Sequence, residues 1–288
     1  MRAMKRVALG FISSLLLAAC GGSPPPPSTA AATPASPAAP VTTAAQTTTT
    51  SASSTTGMTP DSIKSLLAAS DRTDSDRKTD TLRHPEAFLQ FIGIAPGMHV
   101  ADLGSGTGYT TELLARAVGP DGTVYSQNDP ELIKKFFDKP LTERLARPAN
   151  KNVTREDRKF DDPLPADAKN NLDIVVDYIF YHDAVSLGTD RDKMNGAVFG
   201  ALKPGGTYVI VDASAKSGDG VNDTKTLHRI DENIVKTEVQ KAGFTFVSSA
   251  DFLRNPSDTR DWNSSPKAAG DRRGTEDRFV FKFQKPTK

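Results

Sequence analysis

The chain has 288 residues, of which 25% are charged, and its formal net charge is +1. This near-neutral balance gives no electrostatic reason to expect a nucleic acid as partner, and no basic stretch is interleaved with aromatic residues. Cys20 is the only cysteine, so a catalytic thiol, a disulfide framework and a zinc–thiolate site are excluded from the remainder of the chain.

The first twenty residues have the pattern of a targeting segment. Three basic residues precede an apolar run over residues 7–17, which is too short to span a membrane as a mature helix. The sequence Leu17-Ala18-Ala19-Cys20 resembles a bacterial lipobox, and the resemblance implies cleavage before Cys20 and acylation of that cysteine. The alternative is a plain secretory signal that happens to contain a cysteine. We expect a signal peptide over residues 1–19 and a lipid anchor at Cys20.

Residues 20–57 form a low-complexity segment made almost wholly of Gly, Pro, Ser, Thr and Ala, without a charge. Such a segment buries too little apolar surface to offset chain entropy, so we expect it to be a disordered tether. The tether would join the anchor to one folded domain over residues 58–288, a length that suits a single α/β domain. These features predict a domain in the periplasm that contacts the membrane through the lipid anchor alone.

The folded domain begins with helical patterns. Residues 61–69 predict a short helix, and the charge-dense segment over residues 71–77 is interpreted as a solvated loop. The functional alternative for this segment is a lid over a ligand site. Residues 85–92 predict a helix that begins with a proline and buries Phe88 and Leu89.

The central feature is the stretch over residues 99–109, in which an apolar run ends in an acid and three glycines follow at alternate positions. It predicts a strand, a tight turn and a helix over residues 110–118. Such a turn brings backbone N–H groups and the positive end of the helix dipole close to a ligand, and glycine permits the close approach. The third glycine falls one residue earlier than in the dinucleotide fingerprint G-x-G-x-x-G, because Tyr109 occupies that position.

The rest of the chain alternates strand and helix patterns. Strands are predicted over residues 123–127, 152–155, 172–180, 207–211, 244–247 and 279–283, and helices over residues 131–146, 190–202 and 227–242. A turn is expected over residues 202–206, a mobile loop over residues 213–223 and a long polar loop over residues 254–276. Seven strands with helices between them predict an α/β fold: a Rossmann-like, doubly wound, mostly parallel seven-stranded sheet with helices on both faces.

The ends of the fourth and fifth strands carry candidate catalytic residues, because ligands of open α/β sheets bind at the carboxyl ends of strands. The fourth strand, which includes Asp177, ends in Tyr181-His182-Asp183, and the fifth ends at Asp212. His182 is the first candidate for a general base, since its ordinary pKa suits proton removal near neutral pH. Asp183 would orient His182 or contact a substrate. The alternative is that Tyr181 and His182 pack against the next helix and shape the pocket.

Two further readings of polar residues stay open. His228, Arg229 and Asp231 are candidates for a second polar edge of the site, although Asp231 also suits the cap of a helix start. Asp183 and Asp212 form an alternative pair for Mg²⁺, because both supply oxygen ligands at strand ends. Their spacing is not distinctive of a metal site, so the sequence predicts no metal.

Two motifs resemble those of class I S-adenosylmethionine-dependent methyltransferases: Asp102-Leu103-Gly104-Ser105-Gly106-Thr107-Gly108 and Leu202-Lys203-Pro204-Gly205-Gly206. The resemblance covers residues 81–288. Five motifs in register look more specifically like a bacterial group of predicted methyltransferases, many with export signals. They are Gly108-Tyr109, Tyr181-His182-Asp183, Asp192-Lys193-Met194-Asn195, Thr226-Leu227-His228-Arg229-Ile230-Asp231 and Asp251-Phe252-Leu253-Arg254-Asn255-Pro256.

The resemblance implies S-adenosylmethionine as cofactor, with its methionyl part in the glycine loop and its amino group near an acid. The cofactor-binding residues that it implies are Asp102, Gly104, Ser105, Gly106, Gly108, Tyr109, Asn128, Asp129 and Asp177. The family normally has an acid for the two ribose hydroxyls after the second strand, whereas here Asn128 stands there with Asp129 beside it. One acid within residues 156–162 would lie near the adenine amino group.

The sequence therefore predicts a methyltransferase that moves a methyl group from S-adenosylmethionine to an unidentified acceptor, either a small molecule or an envelope component. S-adenosylmethionine is made in the cytoplasm, so an exported position leaves a second hypothesis. In that hypothesis the chain is a non-catalytic envelope lipoprotein that binds a nucleoside-like or other small ligand on the same fold. A third hypothesis is an envelope interaction module that has lost the pocket. The three intact glycines argue against it, because a loop that binds no ligand does not need them.

Overall fold

The computed structural model describes residues 57–288, so the predicted signal peptide, Cys20 and the tether up to residue 56 lie outside the described residues. The helices are α1 (Pro60–Leu67), α2 (Asp74–Arg83), α3 (Pro85–Ile92), α4 (Tyr109–Val118), α5 (Pro130–Leu132), α6 (Asp138–Leu145), α7 (Tyr181–Ser186), α8 (Arg191–Ala201), α9 (Glu232–Lys241) and α10 (Pro266–Ala269). A π-helical turn over Ile133–Phe137 joins α5 to α6. Among these helices, none has the length and apolar character needed to traverse a bilayer.

One seven-stranded sheet organises the fold. Its strands are β1 (His99–Leu103), β2 (Thr123–Asn128), β3 (Val153–Asp157), β4 (Leu172–Tyr178), β5 (Leu202–Ala213), β6 (Thr245–Ala250) and β7 (Arg278–Gln284). They lie in the order β3-β2-β1-β4-β5-β7-β6, and β7 runs antiparallel to its two neighbours. The chain order reverses between β1 and β4, which places a ligand crevice at the carboxyl ends of these strands. The predicted Rossmann-like, doubly wound α/β fold is confirmed.

Both faces of the sheet are buried by helices. On β4, Val175 belongs to one apolar cluster, whereas Ile174 and Val176 belong to the other. Ala101 and Val100 of β1 divide between the two clusters in the same way. A parallel strand that is covered on both sides has no solvent face, which explains the near-continuous apolar run of β4.

β5 begins earlier than the sequence pattern predicts. A turn is expected over residues 202–206, but Leu202 already pairs with Leu172 of β4. The register of the β4–β5 pair then shifts just after Leu172. A Cβ on Gly206 would lie 3.0 Å from the carbonyl oxygen of Lys203 and 3.1 Å from that of Leu172, so glycine allows the strand to pass this irregularity.

The charged segment over residues 71–77 is not the solvated loop that its charge density indicates. It contains the start of α2, where the N–H of Asp76 donates to Thr73 Oγ1 at 3.1 Å and the N–H of Thr73 donates to Asp76 Oδ2 at 3.0 Å. Asp76 is only 2% exposed. The prediction of a solvated loop is wrong because the chain is helical from Asp74 onwards and because Arg72 and Asp76 are buried in ion pairs.

Asp76 belongs to a buried network of ion pairs that joins α2, α4 and α6. Arg144 of α6 donates to Asp76 at 2.7 Å and to Glu112 of α4 at 2.9 Å, and Arg147 donates to Glu112 at 3.0 Å. The side chains of Asp76 and Glu112 are 2% and 3% exposed. Buried charges lose hydration, so their stability depends on these partners. The network thereby holds α2 against the helix that follows the glycine-rich loop.

Replacing Arg144 with Met should lower the free energy of unfolding by about 2–4 kcal/mol, because Asp76 and Glu112 each lose a partner while they stay buried. Urea denaturation followed by circular dichroism measures the loss. Lys139→Met is the matched control on the same helix, since Lys139 and Glu143 lie 3.8 Å apart with side chains 86% and 66% exposed. That variant should change the free energy by less than about 0.5 kcal/mol. Equal losses in both variants would show that the network does not depend on burial.

Candidate active site

The glycine-rich loop joins β1 to α4 and forms the floor of the site. Gly104, Gly106 and Gly108 have φ values of 59°, 57° and 80°, a left-handed conformation that glycine adopts without strain. A Cβ on Gly106 would point into open space, with the carbonyl oxygen of Gly104 as its nearest neighbour at 4.0 Å. The backbone of Gly106 is therefore accessible to a ligand near the N-terminal end of α4.

Side chains at the end of β2 hold this loop in place. The N–H of Gly104 donates to Gln127 Oε1 at 3.1 Å, and the N–H of Gly106 donates to Asn128 Oδ1 at 2.8 Å. Asn128 Nδ2 donates to Ser105 Oγ at 2.7 Å. Asn128 is 1% exposed, and both ends of its amide are used by the loop. The structure therefore gives Asn128 the role of a loop support, in place of the ribose contact that its position in the sequence indicates.

Asp102 lies at the carboxyl end of β1, where it is 1% exposed and borders a cavity that the glycine-rich loop also lines. Thr111 Oγ1 donates to Asp102 Oδ2 at 2.6 Å. Burial disfavours the ionised form and raises the pKa of Asp102 to about 7, although the hydrogen bond from Thr111 and the charge of Arg83 oppose that shift. A positively charged ligand group would stabilise the carboxylate that burial penalises.

The loop opens into a cavity of about 320 Å³ at the carboxyl edge of the sheet, which we call the main cavity because both the glycine-rich loop and His182 line it. Small-molecule sites span about 300–1,000 Å³, so the cavity lies at the lower end of that range. The predicted site residues that line it are Asp102, Gly104, Ser105, Gly106, Tyr109, His182 and Asp183. The predicted site residues that do not line it are Gly108, Asn128, Asp129 and Asp177.

Arg83, the last residue of α2, also lines this cavity, although no sequence pattern indicates it as a site residue. Its Nη1 donates to Thr110 Oγ1 at 3.1 Å, and its guanidinium lies 4.7 Å from the ring centre of Tyr178. No carboxylate within residues 57–288 pairs with it at salt-bridge distance. Arg83 therefore offers an unpaired positive charge to an anionic ligand group.

The long loop after β6 supplies a further part of the cavity wall. Ser264, Ser265, Pro266 and Arg273 line the cavity, and Ser264 Oγ donates to the carbonyl oxygen of His228 at 2.7 Å. The sequence shows this segment only as a long polar loop. Nothing in its local pattern distinguishes these residues, because the tertiary fold alone brings them to the site.

His182, Asp183 and His228 form a cluster on the cavity wall. His182 Nδ1 lies 2.7 Å from Asp212 Oδ1, and His182 Nε2 lies 3.2 Å from His228 Nδ1 and 3.3 Å from Asp183 Oδ1. His228 Nδ1 lies 3.4 Å from Asp183 Oδ1. His182 and Asp212 are buried, whereas the side chains of Asp183 and His228 are each 32% exposed. The structure thus brings together the two predicted catalytic residues and adds His228 and Asp212 to them.

The carboxylates beside His182 control its protonation. Burial alone would lower the pKa of His182, but the charge of Asp212 and the hydrogen bonds to Asp183 and Asp212 raise that pKa to about 10. Burial opposes ionisation of Asp183 as well, yet hydrogen bonds from His182 and His228 hold its pKa below the ordinary value. An imidazolium donates a proton and cannot accept one, so this arrangement works against the predicted general-base role of His182.

Asp177 and Tyr181 face away from the cavity. Asp177 is fully buried, and its Oδ1 accepts the N–H of Phe180 at 3.1 Å. Burial and the charge of Asp212 raise the pKa of Asp177 well above its ordinary value, which favours a neutral carboxyl. Tyr181 packs in the core and donates to Glu238 at 2.8 Å. The packing alternative predicted for Tyr181-His182 therefore applies to the tyrosine.

The predicted second polar edge is wrong for two of its three residues. Arg229 is fully buried and donates to Asp258 at 2.8 Å. Asp231 accepts the N–H of Asn233 at 2.9 Å and thereby caps α9, as the alternative reading expects. Only His228 of this set lines the main cavity.

The Mg²⁺ alternative for Asp183 and Asp212 is also wrong. Asp212 is fully buried, and its oxygens accept the backbone N–H groups of His182 at 2.8 Å and of Ala213 at 2.7 Å. The remaining contact of Asp212 is with the His182 ring. Asp212 therefore lies behind His182 as a support and does not face an ion beside Asp183.

A second cavity, of about 410 Å³, is lined by Asp129, Phe160 and Asp161 among others. Asp129 caps α5 by accepting the N–H of Glu131 at 2.9 Å through Oδ1, and its Oδ2 accepts no hydrogen bond from the described residues. Of the acids in residues 156–162, Asp161 alone lines this cavity. Phe160 stacks on Phe180 of the main cavity with ring centres 4.5 Å apart. This aromatic pair separates the two cavities.

Phe180 lies directly on the glycine-rich loop. A Cβ on Gly104 would come within 2.1 Å of Phe180 Cγ, so this glycine is required for the ring to lie there. Ile179, the preceding residue, has a φ of 63°, which is rare for a β-branched side chain. Backbone strain of this kind concentrates at ligand sites, where the surrounding structure maintains it. Ile179 also lines the main cavity.

Comparison with known proteins assigns the family. Residues 94–245, more than half of the chain, match the family model described as a methyltransferase domain. The chain belongs to the methyltransferase domain family. Membership in this family makes S-adenosylmethionine its cofactor.

Individual relatives agree with this assignment. The methyltransferase domain is 32% identical to an arsenite methyltransferase of Halobacterium salinarum over 130 residues, which are 45% of this chain and 30% of that protein. It is 32% identical to a protein-L-isoaspartate O-methyltransferase of Triticum aestivum over 118 residues, 41% of this chain and 46% of that protein. The chain thus spans less than half of the length of these curated relatives.

A solved structure shows the same fold. A S-adenosylmethionine-dependent methyltransferase from Aquifex aeolicus is 20% identical, with a TM-score of 0.52, and the match covers 79% of this chain and 98% of that one. At this level of identity the likeness concerns the fold and not the acceptor.

The residues of the main cavity fit the methionyl end of S-adenosylmethionine. Asp102 is a buried carboxylate for its amino group, and Arg83 is an unpaired guanidinium for its carboxylate. The open space above Gly106 is a cradle that any Cβ would enter. At the nucleoside end, Asp129 has one free oxygen for a ribose hydroxyl in the second cavity. The methyltransferase domain thus offers polar groups that match both ends of the cofactor.

Replacing Asp102 with Asn should stabilise the ligand-free protein at pH 8 by roughly 2–4 kcal/mol. The folded pKa of about 7 exceeds the ordinary value of 3.8, so the penalty for ionising Asp102 is absent at low pH and grows as the pH rises towards 7. The gain in free energy of unfolding should therefore increase from pH 5 to pH 8, while Asn still accepts the hydrogen bond of Thr111. Urea denaturation at several pH values measures it.

Asp271→Asn provides the comparison, because Asp271 is exposed and its substitution should leave the pH dependence unchanged. A gain for Asp102→Asn that stays constant between pH 5 and pH 8 would contradict a raised pKa of Asp102.

Proposed function

We propose that this protein transfers a methyl group from S-adenosylmethionine to a small-molecule or envelope-component acceptor. One observation carries the proposal: the glycine-rich loop and Asp102 border the same cavity as His182, Asp183 and His228. A cofactor cradle and a second set of titratable side chains thus meet in one small volume. This arrangement favours an enzyme over a protein that only binds a ligand, because a passive site needs no second cluster.

The cofactor would be held by charge at its methionyl end. In the proposal Asp102 pairs with the amino group, Arg83 pairs with the carboxylate, and the backbone of Gly106 lies against the same part. Asp129 accepts a ribose hydroxyl through its free Oδ2. Because Phe160 and Phe180 separate the two cavities, Phe180 has to turn aside for one molecule to occupy both.

S-adenosylmethionine supplies a methyl group on a positively charged sulfur, which a nucleophile attacks in line. The protein's contribution is to align the acceptor, and such positioning can lower a barrier by about 7–11 kcal/mol. His182 and Asp183 are placed to hydrogen-bond an acceptor in the main cavity. Arg273 also lines it, which suits an acceptor that carries polar or anionic groups. The volume of about 320 Å³ is shared with the methionyl end of the cofactor, so it suits a small acceptor or only the reacting end of a larger envelope component.

Calorimetric titration of the full chain with S-adenosylmethionine and S-adenosylhomocysteine tests the cofactor site. Both should bind, and Arg83→Ala should weaken both by about 10–100-fold, because a charge-assisted hydrogen bond contributes about 1.5–3 kcal/mol. Lys78→Ala is the matched control, since Lys78 is an exposed cation on the same helix. It should bind both ligands as the unaltered protein does.

Asp102→Ala should also lose affinity for both ligands. This variant tests where the cofactor binds, independently of any methyl transfer. Retained affinity in Asp102→Ala would move the cofactor away from the glycine-rich loop. Failure of both ligands to bind the unaltered protein would overturn the proposed function. Binding without methyl transfer to any extract of small molecules or envelope material would favour the non-catalytic alternative.

We also propose that the protein is held at the cell envelope by a lipid on Cys20. The support is the lipobox resemblance of Leu17-Ala18-Ala19-Cys20, the uncharged segment that follows it, and the presence of a single cysteine. In this proposal the lipid is the only membrane contact and nucleic acid is not a partner.

The full chain produced in a bacterium should incorporate a labelled fatty acid and sediment with membranes. Cys20→Ser should lose both properties, because no other cysteine can be acylated. Ser23→Ala, three residues further on, should keep both. Label or membrane sedimentation that persists in Cys20→Ser would contradict the anchor.

A further inference from the structure

The cluster of His182, Asp183 and His228 has the features of a metal site that the methyltransferase fold does not explain. Its three ligand atoms lie close to one another, and no other group of three His, Cys, Asp or Glu side chains within residues 57–288 meets the same condition. We propose that these three side chains bind one divalent transition-metal ion, with Zn²⁺ the best-suited ion, and that Asp212 positions His182 for it. Binding of the ion does not depend on the proposed methyl transfer.

The distances between the ligand atoms match a tetrahedron. His182 Nε2, His228 Nδ1 and Asp183 Oδ1 are separated by 3.2, 3.3 and 3.4 Å. Zinc bonds of about 2.0–2.1 Å in tetrahedral directions place neighbouring ligand atoms about 3.3–3.4 Å apart. Octahedral bonds of about the same length place neighbouring ligand atoms only about 2.9 Å apart. The three distances between ligand atoms therefore fit a four-coordinate ion better than a six-coordinate one.

The contacts among these three ligand atoms are longer than the hydrogen bond that His182 makes on the other side of its ring. A charge-assisted N–H···O bond is about 2.7–2.9 Å long, and His182 Nδ1 reaches Asp212 at 2.7 Å. The two imidazole contacts with Asp183 Oδ1 are 3.3 and 3.4 Å long. The His182 ring thus makes a normal hydrogen bond through Nδ1, which faces Asp212, and a longer contact through Nε2, which faces Asp183. This spacing leaves room for an ion among the three ligand atoms.

Asp212 gives His182 the orientation of a metal ligand. A ligating histidine usually donates its other ring N–H to a carboxylate, which fixes the tautomer and leaves the inner nitrogen free for the metal. Asp212 is fully buried and accepts both the ring Nδ1–H and the backbone N–H of His182. When the ion binds, the proton on Nε2 is released and the one on Nδ1 stays with Asp212, so the lone pair of Nε2 points towards the ion between His228 and Asp183.

The backbone of His228 is also set for this site. His228 has a φ of 53°, which is uncommon for a residue other than glycine, and Ser264 binds its carbonyl oxygen at 2.7 Å. The rings of His182 and His228 meet at 79°, so their nitrogens converge without stacking of the rings. Strained backbone at a convergence of ligand atoms is typical of functional sites.

Three protein ligands leave one position of a tetrahedron open, as catalytic zinc sites do. All three residues line the main cavity, so the open position is available to water or to a bound molecule. Two imidazoles and one carboxylate favour Zn²⁺ over Mg²⁺ or Ca²⁺, which prefer oxygen ligands. Under the proposed function, the ion would bind an acceptor oxygen at the open position and lower the pKa of that oxygen.

Calorimetric titration with Zn²⁺ tests the site, on the untagged full chain after treatment with a chelator. One equivalent should bind. Asp183→Asn and His228→Asn should each weaken binding by at least about 100-fold, and Asp212→Asn by about 10–100-fold with the stoichiometry retained. Mg²⁺ should not compete. Co²⁺ in the same site should give the intense visible absorption of a four-coordinate ion.

His84→Asn is the matched control for His228→Asn. His84 is exposed and has a φ of 47°, so both histidines adopt a left-handed backbone that asparagine tolerates. The control should bind Zn²⁺ as the unaltered chain does. Circular dichroism and the thermal midpoint of each variant show whether loss of binding reflects loss of folding. If Asp212→Asn fails to fold, Asp183→Asn still tests the metal site.

Absence of Zn²⁺ binding, equal binding by His228→Asn and His84→Asn, or a weak octahedral Co²⁺ spectrum would each overturn the site. Titration of the chelated protein with S-adenosylmethionine is a separate measurement. Failure of the metal site is therefore distinguishable from failure of the proposed function.

Discussion

Hydrogen bonds between the end of β2 and the glycine-rich loop are the constraint on which the site depends. Three left-handed glycines have the greatest conformational freedom to lose on folding, and they bring no side chains of their own to compensate. Gln127 and Asn128 supply partners to Gly104 and Gly106, so the loop has one conformation before any ligand arrives. α4 starts from this loop, and its Glu112 in turn holds α2 through Arg144. The position of Arg83 at the end of α2 therefore follows from the same bonds.

Buried carboxylates at the ends of β1, β4 and β5 give the site its electrostatic character. Asp102 has a raised pKa and one hydroxyl partner, so it is prepared for a cation. Asp177 has a backbone partner, and burial together with the charge of Asp212 raises its pKa and favours its neutral form. Asp212 instead forms a hydrogen bond with the ring of His182. The three acids lie near the carboxyl ends of neighbouring strands, and their neighbours decide which of them acts on a ligand, on the core or on another side chain.

The sequence predicts those parts of the molecule that depend on local periodicity. Apolar spacing and the three glycines determine the strands, the main helices and the loop. These agree with the structure apart from the early start of β5 and the late start of α9. Local patterns miss pairing over long distances: the buried carboxylate of Asp76 is paired with Arg144, which lies 68 residues further along the chain. Arg83 and the loop that contains Ser264 also reach the cavity through tertiary packing, which local sequence patterns do not predict.

Asn128 shows how a departure from a family pattern can be explained once its partners are known. An amide has a donor and an acceptor, and Asn128 uses the first on Ser105 and the second on Gly106. A carboxylate there would lack the donor and would add a buried negative charge to the floor that already contains Asp102. The asparagine therefore stabilises the loop while it gives up the bidentate contact with a ribose. Under the proposed function, the cofactor would be held chiefly by Asp102 and Arg83, at its methionyl end.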